Sequence, residues 1–266
     1  MRYIIRPIIS NILLFIEALV LFILTLLLVL KTTVLSENHV IKQLEKTNYY
    51  ETVYNESLDT MMYITKKDGF SGSIIKNTFT TEDIKKDINL FVESFYKGET
   101  VTLNTEHLKE NITNNLEQYI ETNQLEITED QKQQYINKMI STYKNEIRLM
   151  NKFTDESKKI NKYNKIINTF IILFMIDIIV LIIINKKIFN KTEFLTLSSS
   201  SALALTLTTL YLQTLNLKNI FIYNNVISEI IKKIIKNIEI RNLLFILLYI
   251  IISIVFYKKQ KEKTRE

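Results

Sequence analysis

Apolar residues gather at the two ends of this chain, and a long polar stretch separates them. Residues 8–30 are apolar except for Ser10, Asn11, Glu17 and Thr25. An apolar helix of about 20 residues is long enough to cross the hydrocarbon core of a bilayer. The run is too long for a signal-peptide core, and no small-x-small cleavage site follows it, so it reads as an uncleaved span. Three more apolar segments come after the polar stretch. Residues 166–184 are interrupted only by Asn168, Thr169 and Asp177. Residues 194–215 are weaker, because they carry Ser198, Ser199, Ser200, Ser201, Thr206, Thr208, Thr209 and Gln213. Residues 243–257 make a short fourth segment that is free to begin several residues earlier. The pattern predicts four transmembrane helices.

Residues 31–165 repeat apolar positions at spacings of three and four, the period of a helix packed on one face. Ser36 is placed to cap a helix through Val40, Ile41 and Leu44. A second helix fits 49–66, with Val53, Leu58, Met61 and Met62 inside. Asp68, Gly69, Ser71 and Gly72 mark a loop. Thr81, Glu82 and Asp83 open a helix through Ile84, Ile88, Phe91, Val92 and Phe95, and Gly98 ends it. Thr105 caps the next helix, with Leu108, Ile112, Leu116 and Ile120. Thr128 opens the last, through Tyr135, Ile136, Met139, Ile140, Tyr143, Ile147 and Met150, which is expected to run on into the next span. No stretch alternates strictly enough for a strand. The expected fold is all-α: a four-helix transmembrane bundle (1–30 and 166–266), with an all-helical extracytoplasmic domain (31–165) inserted between spans 1 and 2.

Charge then sets the topology. Residues 31–165 hold 19 basic and 21 acidic side chains, whereas the rest of the chain holds 15 and 7. The net charge of +6 therefore belongs to the membrane flanks and is not a nucleic-acid footprint. Arg2 and Arg6, then Lys186, Lys187 and Lys191, then Lys258, Lys259, Lys261, Lys263 and Arg265 suit the cytoplasmic side. With four spans both termini are cytoplasmic. Opposing this, Lys218, Lys232, Lys233, Lys236 and Arg241 fall outside. Ile227, Ile230, Ile231, Ile234 and Ile238 make the outer segment 216–240 amphipathic, suited either to the outer leaflet or to packing on the helical domain. The absence of cysteine excludes disulfides, thiolate metal sites and a lipid-anchored cysteine.

Two acids stand out. A carboxylate in the bilayer interior costs roughly 3 kcal/mol and normally faces a partner or water. At about 1.5 Å per residue, Glu17 lies ~13 Å and Asp177 ~10 Å from the cytoplasmic edge. On the same scale Ser198, Ser199, Ser200 and Ser201 lie at ~6–10 Å, Tyr249 at ~12 Å and Ser253 at ~6 Å. These eight residues form one polar layer. Such a layer either knits the bundle together by hydrogen bonds, docks a partner's membrane helix, or couples to a proton or cation. Tyr49, Tyr50 and Tyr54 form an aromatic cluster suited to a core, with a partner-binding patch as the alternative. His39 and His107 sit in separate helices without ligand spacing, so no metal or other cofactor is expected. The loop 68–72 lacks a phosphate-loop lysine, and no serine has a nucleophile-elbow context.

The stretches Gln43-Leu-Glu-Lys-Thr-Asn-Tyr-Tyr-Glu-Thr-Val53 and Thr81-Glu-Asp-Ile-Lys-Lys-Asp-Ile-Asn-Leu-Phe91 resemble the ectodomain of uncharacterised multi-span membrane proteins of low-GC Gram-positive bacteria. The resemblance covers about the first hundred residues. It implies one span, a helical outer domain and three further spans in the cell membrane, and it transfers no activity. A separate likeness, of topology alone, is to ABC-type permease subunits with a domain after their first span. The turn between spans 2 and 3 is too short here for a coupling helix, and topology does not carry function. The expectation is a membrane-anchored binding or assembly module without catalytic activity. Its partners are the lipid bilayer and a protein of the membrane or envelope, not nucleic acid. The alternative is a transporter component, either a permease subunit or an ion-coupled carrier.

Overall fold

The computed structural model describes residues 2–147, 154–185, 191–214 and 225–263. Among these every regular element is helical: α1 (Arg2–Thr32), α2 (Glu37–Lys46), α3 (Tyr49–Lys67), a 3-10 turn (Gly72–Ile74), α4 (Thr81–Lys97), α5 (Glu106–Asn123), α6 (Glu129–Ile147), α7 (Thr154–Asn185), α8 (Lys191–Thr214) and α9 (Asn225–Lys263). The all-α expectation holds. The chain divides into two compact units, one polar (Ile41–Asn161) and one apolar (Met1–Val40 with Lys162–Glu266).

Local chemistry sets the helix ends from α2 to α6. Ser36 accepts a hydrogen bond from the His39 amide at 3.3 Å, satisfying one of the free N–H groups at the start of α2. α4 begins one residue earlier than its sequence signal: Thr80, not Thr81, is the cap. The Thr80 hydroxyl accepts from the Asp83 amide, and the Asp83 carboxylate accepts from the Thr80 amide, closing a capping box. Gly98 ends α4 with φ 76°, a left-handed conformation that costs glycine little. Thr105 makes no capping bond. Asn104 replaces it, its side-chain oxygen accepting from the Glu106 amide at 3.1 Å. Thr128 and Gln131 reproduce the capping box ahead of α6.

The core of this unit is the apolar face that the periodicity marked. Ile84, Ile88, Phe91 and Val92 of α4 are buried, as are Leu108, Ile112 and Leu116 of α5 and Tyr135, Ile136, Met139, Tyr143 and Ile147 of α6. α3 packs against α4, α6 and the 3-10 turn. Asn111 and Asn115 of α5 donate to the carbonyls of Thr78 and Ile74, each at 2.9 Å, and so tie down the loop after the 3-10 turn.

In the apolar unit α8 packs along α9 and against α1. Ala202, Leu205, Ile246 and Tyr249 form the centre of the contact, with Leu21, Phe22 and Leu26 of α1 against them. Among the described residues three helices are long and apolar enough to cross a membrane: Ile12–Thr32, Lys159–Val180 and Ser228–Val255. Four were expected, and α8 is the one missing from this set. Its four consecutive serines and its threonines dilute the apolar content below that of its neighbours. The last span also differs from expectation. The short segment 243–257 belongs to one helix that runs unbroken over Asn225–Lys263. Residues 225–240 are therefore its first turns and not a separate amphipathic segment; residues 216–224 lie outside the described residues. So does the junction between α6 and α7, where a continuous helix was expected. None of the candidate span of α7 is buried.

Candidate functional site

The eight residues of the expected polar layer come from α1, α7, α8 and α9, and hydrogen bonds join several of them. Thr25 donates its hydroxyl to the Leu21 carbonyl one turn back, at 2.8 Å. Its oxygen therefore accepts from the Tyr249 hydroxyl at 2.7 Å, a buried link from α9 to α1. The hydroxyls of Ser198 and Ser253 lie 2.6 Å apart, and Ser199 lies 3.3 Å from the same Ser253 oxygen, so α8 and α9 are clasped. Ser201, fully buried, donates to the Ala18 carbonyl at 3.2 Å and ties α8 to α1. Ser200 is exposed. Within a bilayer, where no water reaches the acyl chains, bonds of this kind between helices would replace an apolar driving force that lipid does not supply. Replacing Tyr249 with phenylalanine leaves the ring in place and deletes the link to Thr25. The expected result is a loss of about 1 kcal/mol or less in stability, read as a lower midpoint of unfolding in mixed detergent micelles.

Glu17 is 7% exposed. Asp177 is half-buried. The two acids lie on different helices, Glu17 on α1 and Asp177 on α7. The clasp residues approach one another across α1, α8 and α9.

Two participants were missed in the sequence. Thr25 was visible only as an interruption of the first apolar run. Asn242 lies just outside the segment read as the fourth span. It is fully buried, and neither its amide nitrogen nor its amide oxygen has a hydrogen-bond partner among the described residues. Leu205 and Ile246 share the α8–α9 core, and one turn further along each helix places Asn242 opposite Thr209. The Thr209 hydroxyl donates to the Leu205 carbonyl.

The aromatic cluster of the polar unit is spent internally. Tyr49 and Tyr50 are buried, and the Tyr50 hydroxyl donates to the Asn89 side chain at 2.7 Å. Tyr54 meets Phe79 edge-on at 5.3 Å, and Phe79 meets Tyr143 at 5.2 Å. Beside these rings lies a cavity of about 200 Å³, lined in part by Asp83, Asp87, His107 and Tyr143. Tyr143 donates to Asp87 at 2.8 Å. No cluster of three or more metal-ligating side chains occurs among the described residues.

Burial holds the Asp87 carboxyl above its ordinary value of 3.8. Its bond from Tyr143 and the Lys86 charge oppose the rise, and the Asp83 charge adds to it. The folded state therefore holds this proton more tightly than the unfolded chain does. The resulting stability is present below the ordinary aspartate range and is lost as pH rises through the elevated value. Asp87→Asn keeps an acceptor for Tyr143 and removes the titration. Its polar unit is expected to lose less stability than the parent as pH rises from the ordinary aspartate range through the elevated value, as followed by thermal melts at stepped pH. An unchanged pH slope would count against this assignment.

No protein-family model, no curated protein and no solved structure matches this chain.

Proposed function

We propose that the chain is a multi-pass membrane protein acting as an anchored binding or assembly module, with the polar unit as its extracytoplasmic domain. α8 supports a four-span reading despite its polarity. It lies antiparallel to α9 and alongside α1 across the same layer, and the hydroxyls of Ser198, Ser199, Ser201, Thr206, Thr208 and Thr209 are met by those two helices or by its own backbone. A helix flanked by spans on two sides crosses with them. Four spans and the basic flanks put both termini in the cytoplasm. No catalytic activity is assigned.

The observation that carries the assembly reading is α7. Phe170, Leu173, Ile176 and Val180 are exposed, and no part of the candidate span is buried. Lipid alone satisfies apolar side chains, but not Asp177 beside them. A span with no buried position among the described residues, yet carrying an acid, is suited to contact another protein. The test is a photo-crosslinker placed at Leu173 in the full chain and activated in native membranes. A discrete protein adduct is expected; adducts with lipid alone would sink the proposal. The second reading, an ion-coupled carrier, draws on the same two acids. It requires proton or cation flux in vesicles reconstituted with the purified chain.

A further inference from the structure

Two sets of contacts fix the register between α8 and α9. Ser198 meets Ser253 at 2.6 Å, and two turns along each helix, in opposite chain directions, Leu205 and Ile246 share the core. One further turn brings Thr209 opposite Asn242, whose amide nitrogen and oxygen are buried without a hydrogen-bond partner among the described residues. The next turn of α8 carries Gln213, which is exposed. Its amide offers both the donor and the acceptor that an asparagine amide needs. Hydroxyls at this contact are under less constraint. Thr206, Thr208 and Thr209 each donate to their own backbone carbonyl one turn back. An asparagine can spend its amide N–H that way, as Asn123 does, but a helix interior has no spare N–H for the side-chain oxygen.

We propose that α9 has a second register against α8, one turn towards its own N-terminus, in which the amides of Asn242 and Gln213 pair. The step is about 5.4 Å, the distance by which one packed element ratchets past another. Apolar contacts recur at each turn, so the step sets Ile250 against Leu205 and Ile246 against Thr209. Ser253 moves from Ser198 to Ala202, where its hydroxyl can donate to its own Tyr249 carbonyl. Tyr249 gives up Thr25. Against these exchanged hydroxyl bonds stands a buried amide that is met only after the step, and an unmet buried group costs more than an ordinary hydrogen bond returns. The opposite step sets Asn242 against Leu205 and meets neither of its groups. This device depends neither on the assembly reading nor on the two acids.

The chain has no cysteine, so introduced pairs read the register without background. Ser198→Cys with Ser253→Cys reports the register described above. Ala202→Cys with Ser253→Cys reports the second, because a one-turn offset otherwise holds the two Cα atoms beyond disulfide reach. Each pair is made in the full chain, purified in detergent and treated with copper phenanthroline. Closure is followed in the monomer as loss of maleimide labelling. The Ala202 pair is expected to close. Asn242→Leu and Gln213→Leu are each expected to slow it at least about tenfold, while the Ser198 pair keeps its rate. Gln213 is exposed, and Asn242→Leu is expected to stabilise the described register, so neither substitution weakens the fold. An Ala202 pair that stays open overturns the proposal. So does closure that is indifferent to either substitution. Equal slowing of both pairs overturns it as well, since the amide would then serve the fold and not the choice of register.

Discussion

Ile84→Ala is expected to lower the stability of the polar unit by about 3 kcal/mol, with most of the loss coming from the cavity it leaves. Ile84 is completely buried one turn into α4. It has no polar atom whose partner would have to be considered, so the loss combines transfer of the deleted methyl and methylene groups with contacts that close packing cannot recover. Leu90 on the same helix is 41% exposed, and Leu90→Ala should cost far less. Hydrogen exchange of the α4 and α6 amides in the full chain, read by mass spectrometry, separates the two. Equal protection in both variants would show that the face assigned to the core is wrong.

Asn242→Leu has the opposite sign. A buried side chain with an unmet donor and an unmet acceptor carries the desolvation cost of both, on the order of 1–3 kcal/mol per group. An apolar residue of similar size removes that cost at the contact between α8 and α9. The variant is expected to unfold at a higher temperature than the parent in the same micelles, by an amount corresponding to at least about 1 kcal/mol. A lower midpoint would mean that the amide has a partner in the folded protein. A polar group kept unsatisfied in a packed helix pair invites a functional explanation, and partner-free stability and cellular activity can be compared directly in this one variant.

The polar unit was largely legible because its apolar residues recur with the helix period and its breaks carry turn chemistry. Thr80 shows where that legibility stops. Thr80 and Thr81 are both plausible caps, and only the reciprocal bond with Asp83 distinguishes them. Asn104 captured the role expected of Thr105 for the same reason: adjacent small polar residues compete, and backbone conformation decides between them. In the apolar unit, hydropathy along one helix could not reveal that α8 meets its hydroxyls with Ser253, with the Ala18 carbonyl and with its own backbone. Nor could it predict that α9 continues through Lys232, Lys233 and Lys236, because a change from apolar to basic residues marks a change of solvent without ending a helix. Glu17 and Asp177 were visible at once as acids in apolar runs. That Glu17 is buried and Asp177 only half-buried was not, because rotation about a helix axis leaves no mark in such uniformly apolar sequence.

α9 has a mechanical consequence. Its 39 residues rise about 58 Å at 1.5 Å each, nearly twice the thickness of the hydrocarbon core of about 30 Å. It contains neither proline nor glycine, the usual places for a helix to bend. Such a rod transmits a push or a twist along its axis instead of absorbing it at a joint. Force applied near Asn225 arrives at the lysines around Lys258 with its direction preserved.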